Sequence, residues 1–361
     1  MREFKIDPDI RRAETLPGSV YHAPEFYESA KQRVFARSWQ YIADAGRIKA
    51  PGHVLPFELL PGCLNESLVL TVDDKSRLHC LSNVCTHRGT VVVEGEGHVR
   101  GLRCRYHGRR FALDGSFISM PEFDEVENFP SEADNLPRVS LQQWGPLLFA
   151  AIAPAFSFEE WLQPLNERLS WLPLERFEFD EATSHDYYMN ANWALYCDNY
   201  LEEFHIPYVH ATSLTGLDYA GYRTETYAYS SLQLGVARDS ERAFELPDDH
   251  PDAGERIAAF YYWLFPNLML NFYPWGLSMN VVQPLGPQRT RVSFRSYVWD
   301  ASKREGVGGD LHRVEMEDEE VVQAVQKGVQ SRLYHRGRYS PRREIGTHHF
   351  HTLLARFLAA P

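Results

Sequence analysis

Cys85-Thr86-His87 and Cys104-Arg105-Tyr106-His107 are the residues of this chain best equipped for chemistry: two Cys–His pairs, with sixteen residues between His87 and Cys104. Two thiolates and two imidazoles delivered by two short loops suit a [2Fe–2S] cluster in which one iron takes both cysteines and the other both histidines. A Cys₂His₂ zinc site would use the same four side chains, but zinc sites usually pair Cys with Cys and His with His along the chain. Here each loop brings one of each, an order awkward for a zinc finger and natural for the mixed cluster. Gly89 and Gly108 let the backbone turn tightly over the sulfurs.

A second constellation lies in the segment from Asn192 to His210. On a helix, Asp198, Glu202 and His205 share one face. His210 would point away, but Pro207 disfavours helical geometry at the residue before it and should end the helix there. The chain can then turn and bring His210 back beside His205. Two neutral imidazoles and one carboxylate with open neighbouring positions make the facial triad that binds non-haem Fe(II). Alone, a His-x₄-His is more often a structural pair; the cluster motif upstream adds weight. A one-electron carrier and an open iron site are the two parts that O₂ activation needs. The third ligand must come from elsewhere, and Glu315-Met316-Glu317-Asp318-Glu319-Glu320 places five acids in six residues. Most of these read as a solvated helix N-terminus, where acids favour the positive end of the dipole.

The elements that must position these groups divide into two parts. Residues 1–39 are expected to form an N-terminal arm with a helix from Glu25 to Trp39, and 40–155 a small antiparallel β domain carrying the cluster loops. Residues 156–361 are expected to form a second domain, with Ala153-Pro154-Ala155 at the junction. In it, helices near 158–170, 192–206 and 315–334 flank strand-like runs at 224–237, 258–265, 268–273, 278–283 and 290–299. Strands between helices without a βαβ rhythm indicate an α+β fold with an antiparallel sheet. The 361 residues allow two domains. A net charge of −12 argues against nucleic acid as partner. No apolar run is long enough for a membrane span, and the N-terminus lacks the apolar core of a signal peptide. Cys63, Cys80 and Cys197 read as small buried apolar residues, which fits a reducing cytoplasm.

With its flanks, Asn83-Val84-Cys85-Thr86-His87-Arg88-Gly89 and Cys104-Arg105-Tyr106-His107-Gly108, the chain resembles the α (oxygenase) subunits of Rieske non-haem iron oxygenases over nearly its whole length. The resemblance implies a Rieske β domain followed by a helix-grip catalytic domain, with a [2Fe–2S] cluster and Fe(II) as cofactors. It implies Cys85 and Cys104 on one cluster iron, His87 and His107 on the other, and His205, His210 and Asp318 on the mononuclear iron. Asp318 fits because of its place before Val325-Gln326-Lys327-Gly328; Glu317 and Glu319 remain substitutes. Glu202 matches the acid that links the cluster of one subunit to the iron of its neighbour, with Glu203 as the local alternative, so a homotrimer is implied. Electrons would come from NAD(P)H through a separate flavin- or ferredoxin-type reductase, and O₂ would be the oxidant.

Arg105 and Arg109 stand where many members have Pro and Trp. They would add positive charge near the cluster, helping to dock an acidic donor, or would simply fix the loop. The segment from Phe260 to Gly276 and the ending with His348, His349 and His351 look most like the branch acting on choline, carnitine and betaines; the three histidines read as packed rather than metal-binding. Aromatic faces attract quaternary ammonium groups, and Tyr200, Phe204, Trp263, Phe265, Tyr273 and Trp275 are the candidate cage. An aromatic-acid or O-demethylating oxygenase would keep every metal ligand and change only the pocket. A Rieske electron-transfer protein without catalytic iron would leave the His205/His210 pair unexplained.

Overall fold

The computed structural model describes residues 5–213, 218–238, 242–304 and 311–359. The outer limits of the first and last expected segments, residues 1–4 and 360–361, lie outside these. The chain forms two compact units, Trp39–Pro154 and a second made of Met1–Ser38 with Ala155–Pro361. The expected N-terminal arm thus groups with the C-terminal unit. Hydrogen bonds explain why: Thr15 N–H donates to Gly337 O at 3.1 Å, and the Arg338 guanidinium donates to Ala13 O at 2.9 Å. Among the described residues no helix is long and apolar enough to cross a membrane.

The unit Trp39–Pro154 holds three antiparallel sheets. One joins β1 (Gln40–Asp44), β10 (Leu147–Ala151) and β9 (Ser140–Trp144). A second runs β4 (Leu78–Ser82), β3 (Glu66–Val72), β2 (His53–Leu59) and β5 (Gly97–His98). The third comprises the short β6 (Leu102–Arg103), β7 (Arg110–Phe111) and β8 (Phe117–Ser119). β3 and β10 read as continuous apolar runs because both of their faces are covered. Val54, Val69, Leu81, Leu102, Phe111, Leu113 and Leu136 close around Cys85 and Cys104 as one core.

The other unit is built on a seven-stranded antiparallel sheet in the order β11 (Glu178–Met189), β17 (Arg289–Val298), β16 (Gly276–Gly286), β15 (Leu268–Tyr273), β14 (Ile257–Leu264), β13 (Ser230–Val236), β12 (Arg223–Thr226). Its helices are α1 (Pro24–Arg33), α2 (Phe158–Leu169), α3 (Trp193–Tyr200), α4 (Ile206–Val209), α5 (Leu311–Gly328) and α6 (Ile345–Ala359). α3 packs on β16 and against α5 and α6. This is the α+β architecture expected, a small β domain followed by helices on an antiparallel sheet.

Several elements depart from the sequence reading: the first helix ends at Arg33 rather than Trp39, α5 ends at Gly328 rather than Tyr334, and α6 lies where no helix was expected. The run 224–237 is two strands, because the chain turns at Tyr227–Tyr229 between β12 and β13. β11 was not expected: its residues, EFDEATSHDYYM, are charged and mostly uncovered, as suits an edge strand. The helix expected over 192–206 stops at Tyr200, and Pro207 begins the short α4 instead of ending α3. Proline is well tolerated in a first helical turn, where its missing N–H has no partner to lose.

Candidate metal centres

The two cluster loops fold alike. Cys85 N–H donates to Thr90 O (2.8 Å) and Gly89 N–H to Cys85 O (2.9 Å); Cys104 N–H donates to Arg109 O (2.8 Å) and Gly108 N–H to Cys104 O (3.0 Å). Both glycines are left-handed, with φ of +71° and +76°, where a side chain would strain the turn. Both thiols lie in the apolar core. Backbone N–H groups of His87 and Arg88 point at the Cys85 sulfur, and those of Tyr106 and His107 at the Cys104 sulfur. The imidazoles meet on a more open side, with Nδ1 of His87 3.1 Å from Nδ1 of His107. That spacing lets both nitrogens sit about 2.1 Å from one ion. Desolvation, then the charges of His107 and Arg88, hold the His87 pKa low, favouring the neutral ring that a metal requires. Buried sulfurs with N–H donors and outward imidazoles fit a [2Fe–2S] group.

Arg109 does not take part in a docking surface. It is buried, donates to Asp134 Oδ1 at 2.6 Å and Asp134 O at 3.0 Å, and its guanidinium lies 4.9 Å from the centre of the Phe117 ring. It fixes the loop from inside. Arg105 is exposed and paired with Glu94 at 2.7 Å.

In the C-terminal unit His205, His210 and Asp318 each offer one ligand atom within 4.8 Å of the others. Asn192 caps α3 by accepting from Ala194 N–H at 3.0 Å. After Tyr200 the chain leaves the helix, and the Glu202 carboxylate accepts from the N–H groups of Phe204 and His205 and from His205 Nδ1 at 2.6 Å. Glu202 and His205 are therefore joined by a local turn and not by a helix face. Asp198 points elsewhere, to His351 Nε2 at 2.7 Å and Tyr21 OH at 2.8 Å. On α5, Glu317 Oε2 accepts from His210 Nδ1 at 2.8 Å, while Asp318 Oδ1 lies 3.0 Å from His210 Nε2 and 3.5 Å from His205 Nε2.

This geometry has a chemical reading. With Nδ1 donating to Glu202 or Glu317, each ring can turn its Nε2 lone pair toward the place that Asp318 also faces. Ligating histidines characteristically hand their other N–H to a carboxylate in this way. The residues fit a divalent metal. Of the acids left open by the sequence, Asp318 faces both imidazoles, Glu317 supports one from behind, and Glu319 is buried outside the cluster. Glu203 is tied up with Arg343 at 3.0 Å. Tyr339 OH pairs with His351 Nδ1 at 2.5 Å, and His348 Nε2 lies 2.8 Å from Asp7 O, so these histidines tie together the ends of the chain.

A cavity of about 120 Å³ opens beside the triad. Its floor is one row across the sheet, Gln233 opposite Tyr261, Tyr261 opposite Asn271, and Asn271 opposite Ser278. Asn280 and Tyr273 stand beside that row, and Tyr196, Tyr200, Tyr222 and Glu315 share the wall with the apolar Ile206, Phe294 and Val314. Of the six rings expected to form a cage, Tyr200 and Tyr273 line the cavity. Trp263 packs on Phe350, Phe265 on Phe357 and Trp275 behind Tyr273, while Phe204 is largely exposed. Tyr196, Tyr222 and Tyr261 were missed, as were the polar floor residues. One signal for the latter was present: Asn271 interrupts the otherwise apolar run of β15.

Comparison with known proteins agrees with this architecture. Residues 38–130 match the Rieske [2Fe-2S] domain, and residues 169–360 match the ring hydroxylating alpha subunit (catalytic domain). The chloroplastic choline monooxygenase of Arabidopsis thaliana is 30% identical, covering 98% of this chain and 85% of the relative. The carnitine monooxygenase oxygenase subunit of Escherichia coli K12 is 29% identical, over 96% of this chain and 94% of the relative. The fold is shared with the quaternary ammonium Rieske monooxygenase CntA, with a TM-score of 0.78, 24% identity and 99% and 100% of the two chains covered. It is also shared with naphthalene 1,2-dioxygenase from Rhodococcus sp., with a TM-score of 0.71, 18% identity and 96% and 95% covered. The chain belongs to the ring-hydroxylating oxygenase α subunits that carry a Rieske domain. It is an oxygenase with a [2Fe–2S] cluster and a mononuclear iron as cofactors, and it takes its electrons from a separate reductase.

Proposed function

We propose that this chain is the terminal oxygenase of a system that oxidises a small quaternary ammonium compound of the choline or betaine type. The observation that carries this reading is the cavity wall. Tyr200, Tyr222, Tyr261 and Tyr273 line it together with Glu202, Glu315 and Asp318, and no lysine or arginine is among its described lining residues. Aromatic faces attract a desolvated quaternary ammonium. An aromatic acid would bring its carboxylate to Glu202, Glu315 and Asp318 without a basic partner, which weighs against that alternative. The curated relatives named for choline and carnitine point the same way.

Cys85 and Cys104 would hold one cluster iron, His87 and His107 the other, and His205, His210 and Asp318 the mononuclear iron. When bound, the two centres supply stepwise electron delivery and O₂ activation. One oxygen atom enters a substrate C–H bond to give C–OH; the other leaves as water, using two electrons and two protons. Next to nitrogen the product would be a hemiaminal, which breaks by C–N cleavage. The chain's own residues prepare that event. Glu202 and Glu317 hold the two imidazoles in one tautomer, and the sheet floor orients the substrate. Glu202 would also link the cluster of a neighbouring subunit to this iron, in a homotrimer supplied by an NAD(P)H-dependent reductase of flavin or ferredoxin type. Cys63, Cys80 and Cys197, the cysteines outside the cluster loops, are free thiols, which goes with a reducing compartment such as the cytoplasm.

The test is the electron paramagnetic resonance spectrum of the nitric-oxide adduct of the Fe(II)-loaded protein, with the cluster kept oxidised. Choline, glycine betaine, carnitine and benzoate are added in turn. Reshaping of the nitrosyl signal by a trimethylammonium compound is expected. Reshaping by benzoate alone would overturn the substrate assignment, and no nitrosyl signal would overturn the iron site.

A further inference from the structure

The residues that follow α3, Leu201-Glu202-Glu203-Phe204-His205, contain neither glycine nor proline, and leucine and glutamate are good helix formers. Local propensity therefore does not explain why the helix stops at Tyr200. One more turn would bond Phe204 N–H to Tyr200 O and His205 N–H to Leu201 O. Instead, other elements reach the carbonyls that a helix end leaves without partners. Gln233, buried on β13, donates from Nε2 to Tyr200 O at 2.8 Å. Thr347 Oγ1, in the first turn of α6, donates to Asp198 O at 3.4 Å. One turn further along α6, His351 Nε2 lies 2.7 Å from Asp198 Oδ1, so two contacts on one face fix α6 against α3. Between them and the break sits Gly346. A Cβ there would overlap the Leu201 carbonyl oxygen and lie 3.4 Å from both its carbon and Leu201 Cδ2. The obstacle is backbone, and Leu201 is wholly buried, so it cannot swing aside. Alanine would serve better as a helix former in α6; glycine leaves room for that carbonyl.

We infer that Gln233 and Gly346 are positioning residues of the iron site. Together they close the end of α3 from outside and hold the break at which Phe204 and His205 turn their N–H groups to Glu202. Neither offers a ligand atom to the triad; both act through Glu202 and His205. The inference takes His205, His210 and Asp318 as the iron ligands and is independent of which substrate is oxidised.

The experiment uses the full-length protein with its cluster, loaded with Fe(II) and without substrate. Gln233→Met removes the donor to Tyr200 O at similar length, and Gly346→Ala sets a methyl against Leu201 O. Each should weaken Fe(II) binding about tenfold or more in chelator competition, the size of a lost partner behind a ligating histidine. Each should also change the line shape of the nitrosyl electron paramagnetic resonance signal while the Rieske absorbance is kept. Gly286→Ala, where a Cβ meets nothing within 4 Å, should change neither. Should either variant not be recovered with its cluster, Gln233→Leu takes its place. A lowered unfolding midpoint with Fe(II) affinity within about threefold of wild type and a native nitrosyl line shape would reveal ordinary packing and overturn the inference. Absence of a nitrosyl signal from the wild type defeats the iron-site assignment itself, a distinct result.

Discussion

Glu317 is the residue on which the support of the iron site can be tested most directly. Its Oε2 accepts from His210 Nδ1 at 2.8 Å and from Ser213 Oγ at 2.5 Å, and its Oε1 is held by Arg313 at 3.1 Å. The His210 side chain is only 1% exposed, so water has little room to replace the acid. A hydrogen bond to a charged group contributes about 1.5–3 kcal/mol, which corresponds to roughly ten- to a hundredfold in an equilibrium constant. Loss of such a partner behind a ligating histidine has the same size, about 10–100-fold in metal affinity. Glu317→Ala should fall near the upper end, and Glu317→Gln, whose amide oxygen still accepts, near the lower. The assay is Fe(II) affinity by chelator competition, with the visible absorbance of the Rieske cluster as an internal measure of intact protein. An alanine variant with full cluster absorbance and an Fe(II) affinity within about threefold of wild type would refute the argument that this acid fixes the imidazole.

Glu202→Gln should keep the cluster and hold Fe(II) within about tenfold of the native affinity, yet halt substrate-coupled turnover; normal product formation with reductase would remove its bridging role. Arg109→Met takes the donor from Asp134 Oδ1 and Asp134 O, while Ser131 still donates to Oδ2, and should cost about 1.5–3 kcal/mol of stability, read by thermal unfolding; an unchanged midpoint would return Arg109 to the role of a dispensable charge. Burial first of all pulls the His349 pKa down to about 4. The unfolded chain, with a value of about 6.5, binds the proton more readily, so the neutral ring's contribution is complete above pH ~6.5 and lost as pH falls toward ~4, up to about 3 kcal/mol. His349→Gln should flatten the loss of stability over that window, and an unaltered pH profile would count against it.

The fold was legible wherever the residues alternate or cluster by polarity. β14, β15 and β17 were expected within about two residues of their observed limits because they are buried runs bounded by turns. β11 was invisible because an edge strand with one uncovered face carries Glu178, Asp180, Glu181 and Asp186, which no apolar pattern announces. The arm's association with the C-terminal unit was equally hidden. It depends on backbone partners such as Thr15 and Gly337, more than 300 residues apart, and main-chain pairing leaves no mark on residue type.

The metal-binding side chains were legible for a different reason: their chemistry is rare, so their types and short spacings carry the information. What the spacing misstated was the backbone that delivers them. A single helix from 192 to 206 would have put Asp198, Glu202 and His205 on one face; instead Asp198 serves the His351–Tyr21 cluster, and only the last two approach the iron site. The break after Tyr200 is what makes the site possible. A continuous helix would spend the N–H groups of Phe204 and His205 on carbonyls four residues back. Freed from the helix, both N–H groups bind the Glu202 carboxylate, which fixes that acid against His205 Nδ1 and turns Nε2 toward Asp318. α4 then carries the chain one turn further, so that His210 arrives beside His205 with ring centres 5.0 Å apart. The facial triad is therefore assembled by capping chemistry at a helix break, with the acid proposed to pass electrons also serving as the cap. For that reason changing Glu202 reaches both the orientation of His205 and the route to the iron; glutamine, whose single amide oxygen can still accept from His205 Nδ1 while its NH2 gives up the cap, disturbs the first least while removing the charge needed for the second.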